Sequence, residues 1–128
     1  MKINIKATGI TLTPAISDYI HKKIVVIEKY LTKENAETIV QMEVGKSTHH
    51  HKSGPVFRAE IRLVSGNIDL YAVSEQEDLY AAIDIVKDEM VHSLTHEKGK
   101  RQTLARRGAE MIKSIIKGLR YNGFKRRP

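Results

Sequence analysis

The sequence predicts an α+β fold of order β-α-β-β-β-α, with two helices packed on one face of a four-stranded sheet and a basic helical tail at the C-terminus. Two long segments place apolar residues at the helical period, and four short ones alternate apolar with polar residues. Gly, Pro, Asn and Ser separate these segments, as is typical of turns and loops. We expect both helices to cover the same face of the sheet and to leave the other face in water.

The first strand and helix are predicted from residues 2–31. Residues 2–7 alternate, with Ile3 and Ile5 on one side, as in a strand. Thr13 followed by Pro14 predicts a helix start, because threonine caps helices and proline fits their first position. This helix should extend to about Leu31 and bury Ile16, Ile20, Ile24, Ile27 and Leu31. The opposite side carries Lys22, Lys29 and Lys33, with Lys23 towards the flank.

The middle of the chain predicts three more strands, at residues 38–44, 56–64 and 68–73. The connection Ser65-Gly66-Asn67 consists of residues that favour turns, so the last two strands should form a hairpin. A helix between the first two strands permits them to pair in parallel, and the other connections favour antiparallel neighbours.

The stretch 74–101 predicts a second helix. Ser74 and Glu77 have the spacing of a capping box, and Gly99 is expected to end the helix. Its predicted core stripe is Leu79, Ile83, Val86, Met90 and Leu94. A third, basic amphipathic helix interrupted by Gly108 is expected beyond it, with apolar positions Leu104, Met111, Ile112, Ile115, Ile116 and Leu119. We therefore divide the chain into a domain at residues 1–101 and a tail at residues 102–128.

Positive charge is concentrated in the tail. The whole chain carries a net charge of +7. Residues 100–128 hold ten Lys and Arg against the single carboxylate of Glu110, a net +9, which leaves −2 for residues 1–99. Such an asymmetry indicates a polyanionic partner, most often a nucleic acid.

The composition argues against several classes of protein. The chain lacks cysteine, which excludes disulfides, thiolate chemistry and cysteine-based zinc sites. No run of about 18 apolar residues predicts a membrane span, and the N-terminus lacks the apolar block of a signal peptide. We find no nucleophile elbow, phosphate loop or H-E-x-x-H motif. We therefore expect a cytoplasmic protein that is not an enzyme and uses no cofactor or small-molecule substrate.

Two histidine groups and one carboxylate pair were weighed as sites. His49, His50 and His51 are adjacent, and adjacent residues rarely direct three imidazoles at one ion, so a polar loop is the better interpretation. His92 and His96 share a helix face but have no evident third ligand. Asp84 and Asp88 also share a face, and we expect solvated carboxylates there.

Nucleic-acid binding has the strongest support among the functions considered. Aromatic residues make up only 5% of the chain, which disfavours base stacking and favours recognition of folded RNA through its backbone and shape. The candidate contact residues are Lys22, Lys23, Lys29, Lys33, Lys87, His92, Lys98, Lys100, Arg101, Arg106 and Arg107. The basic helix at 104–119 could instead bind an anionic membrane surface or a groove on a partner protein.

A set of short motifs resembles the ribosome hibernation promoting factor family, also called ribosomal subunit interface proteins. These motifs are Asp-Leu-Tyr-Ala-Ala-Ile-Asp at 78–84, Thr-Pro-Ala-Ile at 13–16 and Glu-Lys-Tyr at 28–30, together with the order of elements. The resemblance covers about residues 1–101 and is to the short type, which lacks a second domain.

The resemblance implies a ribosome-associated translation inhibitor. Members of the family lie between the head and body of the small ribosomal subunit, contact the 16S rRNA of the decoding region and block mRNA and tRNA binding during stress or stationary phase. The matching basic positions are Lys22, Lys23, Lys29, Lys98 and Lys100. Dimerisation of ribosomes would need another factor.

This chain departs from the family in the second half of the second helix. Glu89, His92 and His96 stand where the family often has Lys or Arg. We expect Arg101, Arg106 and Arg107 of the tail to compensate for that loss of charge. The alternatives are a general RNA- or DNA-binding module driven by the tail, and a protein- or membrane-interaction adaptor that uses the 104–119 helix.

Overall fold

The computed structural model describes residues 1–31, 37–47 and 54–125, with the side chains of 101–105 and 114–125 left undescribed. The element order β-α-β-β-β-α is confirmed. The elements are β1 (Lys2–Thr8), α1 (Pro14–Glu28), β2 (Thr38–Lys46), β3 (Phe57–Ser65), β4 (Ile68–Gln76) and α2 (Leu79–Lys125). Lys33 and His49–His51 lie outside the described residues.

The four strands form one mixed sheet in the order β1-β2-β3-β4. β1 pairs in parallel with β2, as the helical crossover permits. β2, β3 and β4 follow as an antiparallel meander, and β3 and β4 are joined at Gly66-Asn67. Gly66 has a φ of 57°, a backbone conformation that favours glycine, so the sequence of this turn fits its geometry.

The core lies between the sheet and the two helices. All five predicted stripe residues of α2 are buried, and α1 buries Ile20, Ile24 and Ile27, with Ile16 and Leu31 packed at the margin. The sheet contributes Val40, Met42, Val44, Ala59, Ile61 and Leu63 to the same cluster. Burying one large aliphatic side chain contributes roughly 1.5–3 kcal/mol, so this cluster is the main source of stability. Both helices therefore cover one face of the sheet, as predicted.

The start of α1 follows the sequence signal. Thr13 is the N-cap, and its side-chain oxygen accepts a hydrogen bond from the backbone N–H of Ile16 at 3.2 Å. Pro14 occupies the first turn, where its missing N–H costs nothing. The helix ends at Glu28, slightly before the predicted Leu31, and Lys29 is its C-cap.

The predicted capping box at Ser74 is wrong. β4 continues to Gln76, and Ser74 is a buried residue of that strand, opposite Ala59 of β3. The helix begins at Leu79, and Asp78 caps it by accepting the Ala81 N–H at 3.3 Å. Strand pairing along all of β3 outweighs the local capping signal, so the helix starts five residues later than Ser74.

The predicted helix end at Gly99 and the interruption at Gly108 are also wrong. Both glycines lie within α2, which is continuous to Lys125, and neither has a positive φ. The boundary between the two compact units of the chain falls within this helix, with Met1–Leu94 as the first unit and Thr95–Pro128 as the second.

Gly45 of β2 provides a test of the β1–β2 pairing. A Cβ at this position would lie 2.1 Å from the carbonyl oxygen of Thr8. This oxygen belongs to the backbone, so it cannot rotate away as a flexible side chain can. We expect Gly45→Ala to lower the free energy of unfolding by about 2–3 kcal/mol, measured by urea denaturation, because β1 must shift away from β2.

The matched control is Gly99→Ala, which adds the same methyl group where no atom lies within 4 Å. Alanine is favoured over glycine by about 1 kcal/mol inside a helix, so this variant should be as stable as the parent or more stable. A Gly45→Ala variant with unchanged stability would contradict the close approach of β1 and β2.

Candidate nucleic-acid interface

Two lysines on α1 form an exposed row, here called the α1 lysine row: Lys22 and Lys29. They stand two helical turns apart, about 10 Å along the axis. Both lie on the side of α1 opposite the buried Ile20 and Ile24. Val25 lies between them and is 52% exposed. Among the described residues, none forms an ion pair with either lysine, so both ammonium groups are open to an external anion.

A polar junction joins α1 to α2, here called the Asp84 junction: Tyr19, Lys23, Tyr80 and Asp84. The Tyr19 hydroxyl donates a hydrogen bond to Asp84 Oδ2 at 2.7 Å, and Lys23 Nζ lies 2.9 Å from Asp84 Oδ1. The Lys23 ammonium also lies 4.8 Å from the centroid of the Tyr19 ring. The rings of Tyr19 and Tyr80 meet edge to face, with centroids 4.8 Å apart. The two helices are thus held side by side by specific contacts as well as by the core.

The junction stabilises the charged forms of both Asp84 and Lys23. Burial disfavours the Asp84 carboxylate, but the hydrogen bonds from Tyr19 and Lys23, with the nearby positive charges, outweigh it and hold the pKa of Asp84 below its ordinary value. The hydrogen bond to Asp84 raises the pKa of Lys23 despite some desolvation. Burial and the bond to Asp84 raise the pKa of Tyr19. At neutral pH the junction therefore contains an ion pair and a neutral tyrosine.

Lys23 has an intramolecular role that the sequence did not reveal. It was predicted only as an RNA contact, whereas its half-buried ammonium is bound to Asp84. The expectation that Asp84 is merely solvated is wrong, because its Oδ1 is shielded from solvent and lies against Lys23. The Tyr19–Asp84 contact joins residues 65 positions apart, and no local pattern predicts such a pairing. The available signal was Asp84 itself, a carboxylate at the margin of a core stripe.

Lys87 and His92 lie on different flanks of α2. Lys87 projects on the flank of Tyr80 and Asp84, and its ammonium pairs with the carboxylate of Asp88. His92 is exposed and lines a groove on the other flank together with Asp88 and Glu89. The structure therefore surrounds His92 with carboxylates, and it does not bring His92 to the α1 lysine row.

The remaining candidates belong to the second unit, Thr95–Pro128. Lys98, Lys100, Arg106 and Arg107 are all exposed residues of α2. The side chain of Arg101 lies outside the described part of the chain, as does the whole of Lys33. Met111 and Ile112 of the same unit are 65% and 60% exposed, so this part of the helix also presents apolar surface.

On the uncovered face of the sheet, two arginines form ion pairs with neighbouring carboxylates. Arg62 forms a two-point contact with Asp69, at 3.0 and 2.8 Å, and Arg58 lies 3.2 Å from Glu60. The Tyr71 hydroxyl donates to Glu60 at 2.5 Å. These arginines are therefore less available to an external anion than the α1 lysine row.

Two further features bear on chemistry. Within 1–31, 37–47 and 54–125, no group of three or more His, Asp or Glu side chains is placed to hold a metal ion. The same described residues include no helix that is long and apolar enough to cross a membrane. Asp84 is bound to Tyr19 and Lys23 and does not pair with Asp88, so the two carboxylates form no acid–base pair here.

The Asp84 junction can be tested by Asp84→Asn. We expect the free energy of unfolding to fall by about 1–2 kcal/mol, because the amide keeps a hydrogen-bond acceptor for Tyr19 but leaves Lys23 without its partner. The estimate is modest since the Asp84 side chain is 41% exposed and the ion pair is partly screened. The control is Asp88→Asn, whose side chain is 67% exposed, with an expected change within about 0.5 kcal/mol. Equal losses for both variants would contradict the junction.

The same variant predicts a pH dependence. The pKa of Asp84 in the folded protein lies below its ordinary value of 3.8, so ionised Asp84 stabilises the fold. The stability difference between the parent and Asp84→Asn should be fully present above that ordinary value. It should shrink as the pH falls through the lower folded-state pKa. Urea titrations at several pH values measure it, and a difference that grows on acidification would oppose the assignment.

Comparison with known proteins gives consistent matches over the first hundred residues. Residues 3–102 match the family model described as Sigma 54 modulation protein / S30EA ribosomal protein. A ribosome hibernation promoting factor of Salmonella typhimurium is 30% identical over 100 residues, which cover 78% of this chain and 96% of the relative. One from Pseudomonas putida is 29% identical over 105 residues, covering 81% and 93%.

Solved structures agree with the fold. The N-terminal domain of Thermus thermophilus Protein Y superposes with a TM-score of 0.63 at 26% identity, covering 75% of this chain and 98% of that one. A ribosomal subunit interface protein from Coxiella burnetii superposes with a TM-score of 0.60, covering 77% and 99%; at 16% identity it supports the fold alone. The α+β body, its motifs and these matches together show that the chain belongs to the family of ribosome hibernation promoting factors, the Sigma 54 modulation protein / S30EA ribosomal proteins.

Proposed function

We propose that this protein is a non-enzymatic inhibitor of translation that binds the small ribosomal subunit. It would contact the 16S rRNA of the decoding region and exclude mRNA and tRNA during stress or stationary phase. Family membership and relatives named ribosome hibernation promoting factor support a ribosomal role in the cytoplasm. The finer assignment to the decoding region extends the resemblance noted in the sequence.

The observation that carries the proposal is the α1 lysine row. Lys22 and Lys29 are exposed on the side of α1 that faces away from the core. The Asp84 junction holds that helix in place through Tyr19 and Lys23. A pair of cations on a fixed helix can neutralise backbone phosphates without reading base sequence, which suits folded RNA.

We divide the candidate residues between contact and positioning. Lys22 and Lys29 would contact phosphates directly. Lys23 would act through Asp84 to set the position of α1, and Lys87 is already paired with Asp88. Lys98, Lys100, Arg106 and Arg107, with Arg101, would supply the additional charge of the tail.

Inhibition by this mechanism needs no chemical step. A bound body that fills the path of mRNA and tRNA silences the ribosome by occupancy, so the extent of inhibition follows affinity and concentration. The salt dependence of binding then reports how many phosphates are neutralised. Ribosome dimerisation, if it accompanies this silencing, would use a separate factor.

Charge reversal of the α1 lysine row tests the proposal. We expect Lys22→Glu with Lys29→Glu to weaken binding to purified small subunits by at least about tenfold, because each lost charge-assisted contact is worth about 1.5–3 kcal/mol. The slope of log affinity against log salt should also become shallower by about one for each lost phosphate contact. Sedimentation with small subunits at rising salt measures both quantities.

The matched control is Lys2→Glu with Lys6→Glu, which makes the same change of charge on exposed residues of β1 at the uncovered face of the sheet. Its effect should be clearly smaller. Equal losses for the two double variants would show that net charge, and not the α1 lysine row, governs binding.

Deletion of residues 102–128 tests the contribution of the tail. Residues 102–128 hold eight Lys and Arg against Glu110, a net charge of 8 − 1 = +7, so we expect a sharp loss of affinity and a flatter salt dependence, while the α+β body stays folded. Full inhibition by the truncated chain would contradict a compensating tail.

The same binding assay separates the other candidate functions. A general nucleic-acid module would bind any RNA, including unstructured RNA, as well as small subunits. An adaptor that uses exposed Met111 and Ile112 would bind neither. The proposed inhibitor binds small subunits one to one and is displaced by mRNA and tRNA.

A further inference from the structure

Among the residues that the structure describes, strand β4 forms one edge of the sheet and has a single neighbour, β3. The two strands pair without interruption over nine residue pairs, from Phe57↔Gln76 to Ser65↔Ile68. One side of β4 therefore carries a regular row of backbone N–H and C=O groups that face away from the sheet. Such a row is a template for another strand.

The two edges of the sheet differ in how well they are protected. β1, the opposite edge, carries Lys2 and Lys6, and edge lysines discourage strand addition. β4 has the sequence IDLYAVSEQ, with no Lys, Arg or Pro. Its outward side chains include Tyr71 and Val73, which are 56% and 38% exposed. Its two carboxylates have internal partners, since Asp69 pairs with Arg62 and Glu75 accepts a hydrogen bond from Ser47. The β4 edge is thus long, regular and partly apolar, and it lacks the lysines and prolines that often discourage strand addition.

A groove lies between α2 and the middle of this edge, at Tyr71 and Ala72. It is open, with a volume of about 420 Å³, and is lined by Tyr71, Ala72, Asp88, Glu89, His92 and Ser93. Asp88 and Glu89 are both exposed. Glu89 lies on the flank of α2 away from Tyr80 and Asp84, whereas Asp88 lies one turn from Asp84 and pairs with Lys87.

We propose that the β4 edge binds an extended segment of a partner protein that carries basic residues at alternate positions. Backbone hydrogen bonds to β4 would supply affinity, and the alternation of side chains along a strand would supply specificity. Basic side chains on one side of the added strand would reach Glu89, which forms no ion pair within the described residues, whereas Asp88 is already paired with Lys87. Side chains on the other side would pack beside Tyr71 and Val73.

The charge of the groove selects this occupant. Glu89 supplies the uncompensated negative charge of the groove, since Asp88 is paired with Lys87, and this charge favours a basic peptide over the phosphates of a nucleic acid. The proposal concerns a different surface from the α1 lysine row, so RNA and the peptide segment can be bound together.

The test uses the full chain and the peptide acetyl-KVKVKVK-amide, with acetyl-EVEVEVE-amide as its charge-reversed counterpart. Titration calorimetry should give one-to-one binding of the basic peptide with a dissociation constant below about 1 mM, and at least tenfold weaker binding of the acidic peptide. Amide hydrogen exchange, followed by NMR, should slow at alternate residues of β4 and stay unchanged at the edge of β1.

Single substitutions test whether the peptide binds in the groove. Glu89→Lys should weaken binding of the basic peptide by at least about tenfold, and the milder Glu89→Gln should weaken it less, in the same direction. Asp18→Lys makes the same charge reversal on an exposed residue of α1 and should leave peptide affinity unchanged within about twofold. Circular dichroism confirms that each variant is folded.

Several results would overturn the proposal. These are no binding, equal binding of the two peptides, and binding that leaves β4 amide exchange unchanged. Self-association of the chain through β4, seen as a dimer by analytical ultracentrifugation without peptide, would assign this edge to a second copy instead.

Discussion

The carboxylate of Asp84 is the contact that fixes how the two helices lie against each other. Apolar stripes decide which side of each helix faces the sheet, but they do not by themselves hold the helices at one lateral position. Asp84 does so by accepting the Tyr19 hydroxyl at 2.7 Å and binding the Lys23 ammonium at 2.9 Å. Lys23 pairs with this carboxylate, whereas Lys22 and Lys29 form no ion pair with any other residue that the structure describes. The acidic residue thereby helps to organise a basic surface.

The first part of α2 has two flanks with different surroundings. One flank, with Tyr80 and Asp84, meets α1 and belongs to the junction. The other, with Glu89 and His92, overlooks the unprotected edge of β4. Under the two proposals, Glu89 disfavours RNA contact on this flank and favours a basic peptide there.

The sequence predicted the parts of the fold that depend on regular spacing. Both core stripes, the Thr13 cap, the hairpin at Gly66 and the parallel β1–β2 pair are confirmed because period and turn chemistry are local signals. The prediction at Ser74 was wrong because the local sequence fits either a capping box or the end of a strand. Pairing with β3 decides in favour of the strand. The prediction that the helix ends at Gly99 was wrong because one glycine destabilises a helix by only about 1 kcal/mol relative to alanine. Strong helix formers around it can outweigh this cost. The Asp84 junction could not be predicted, since it joins residues distant in sequence.

The most direct test of the account is site-specific photo-cross-linking on the small ribosomal subunit. A photoreactive amino acid placed at Lys22, in the α1 lysine row, should cross-link to 16S rRNA in the decoding region. The same group placed at Gln41, an exposed residue on the uncovered face of the sheet, should give little or no RNA cross-link. Cross-links from position 41 that equal or exceed those from position 22 would contradict the claim that the exposed lysines of α1 form the ribosome-binding surface.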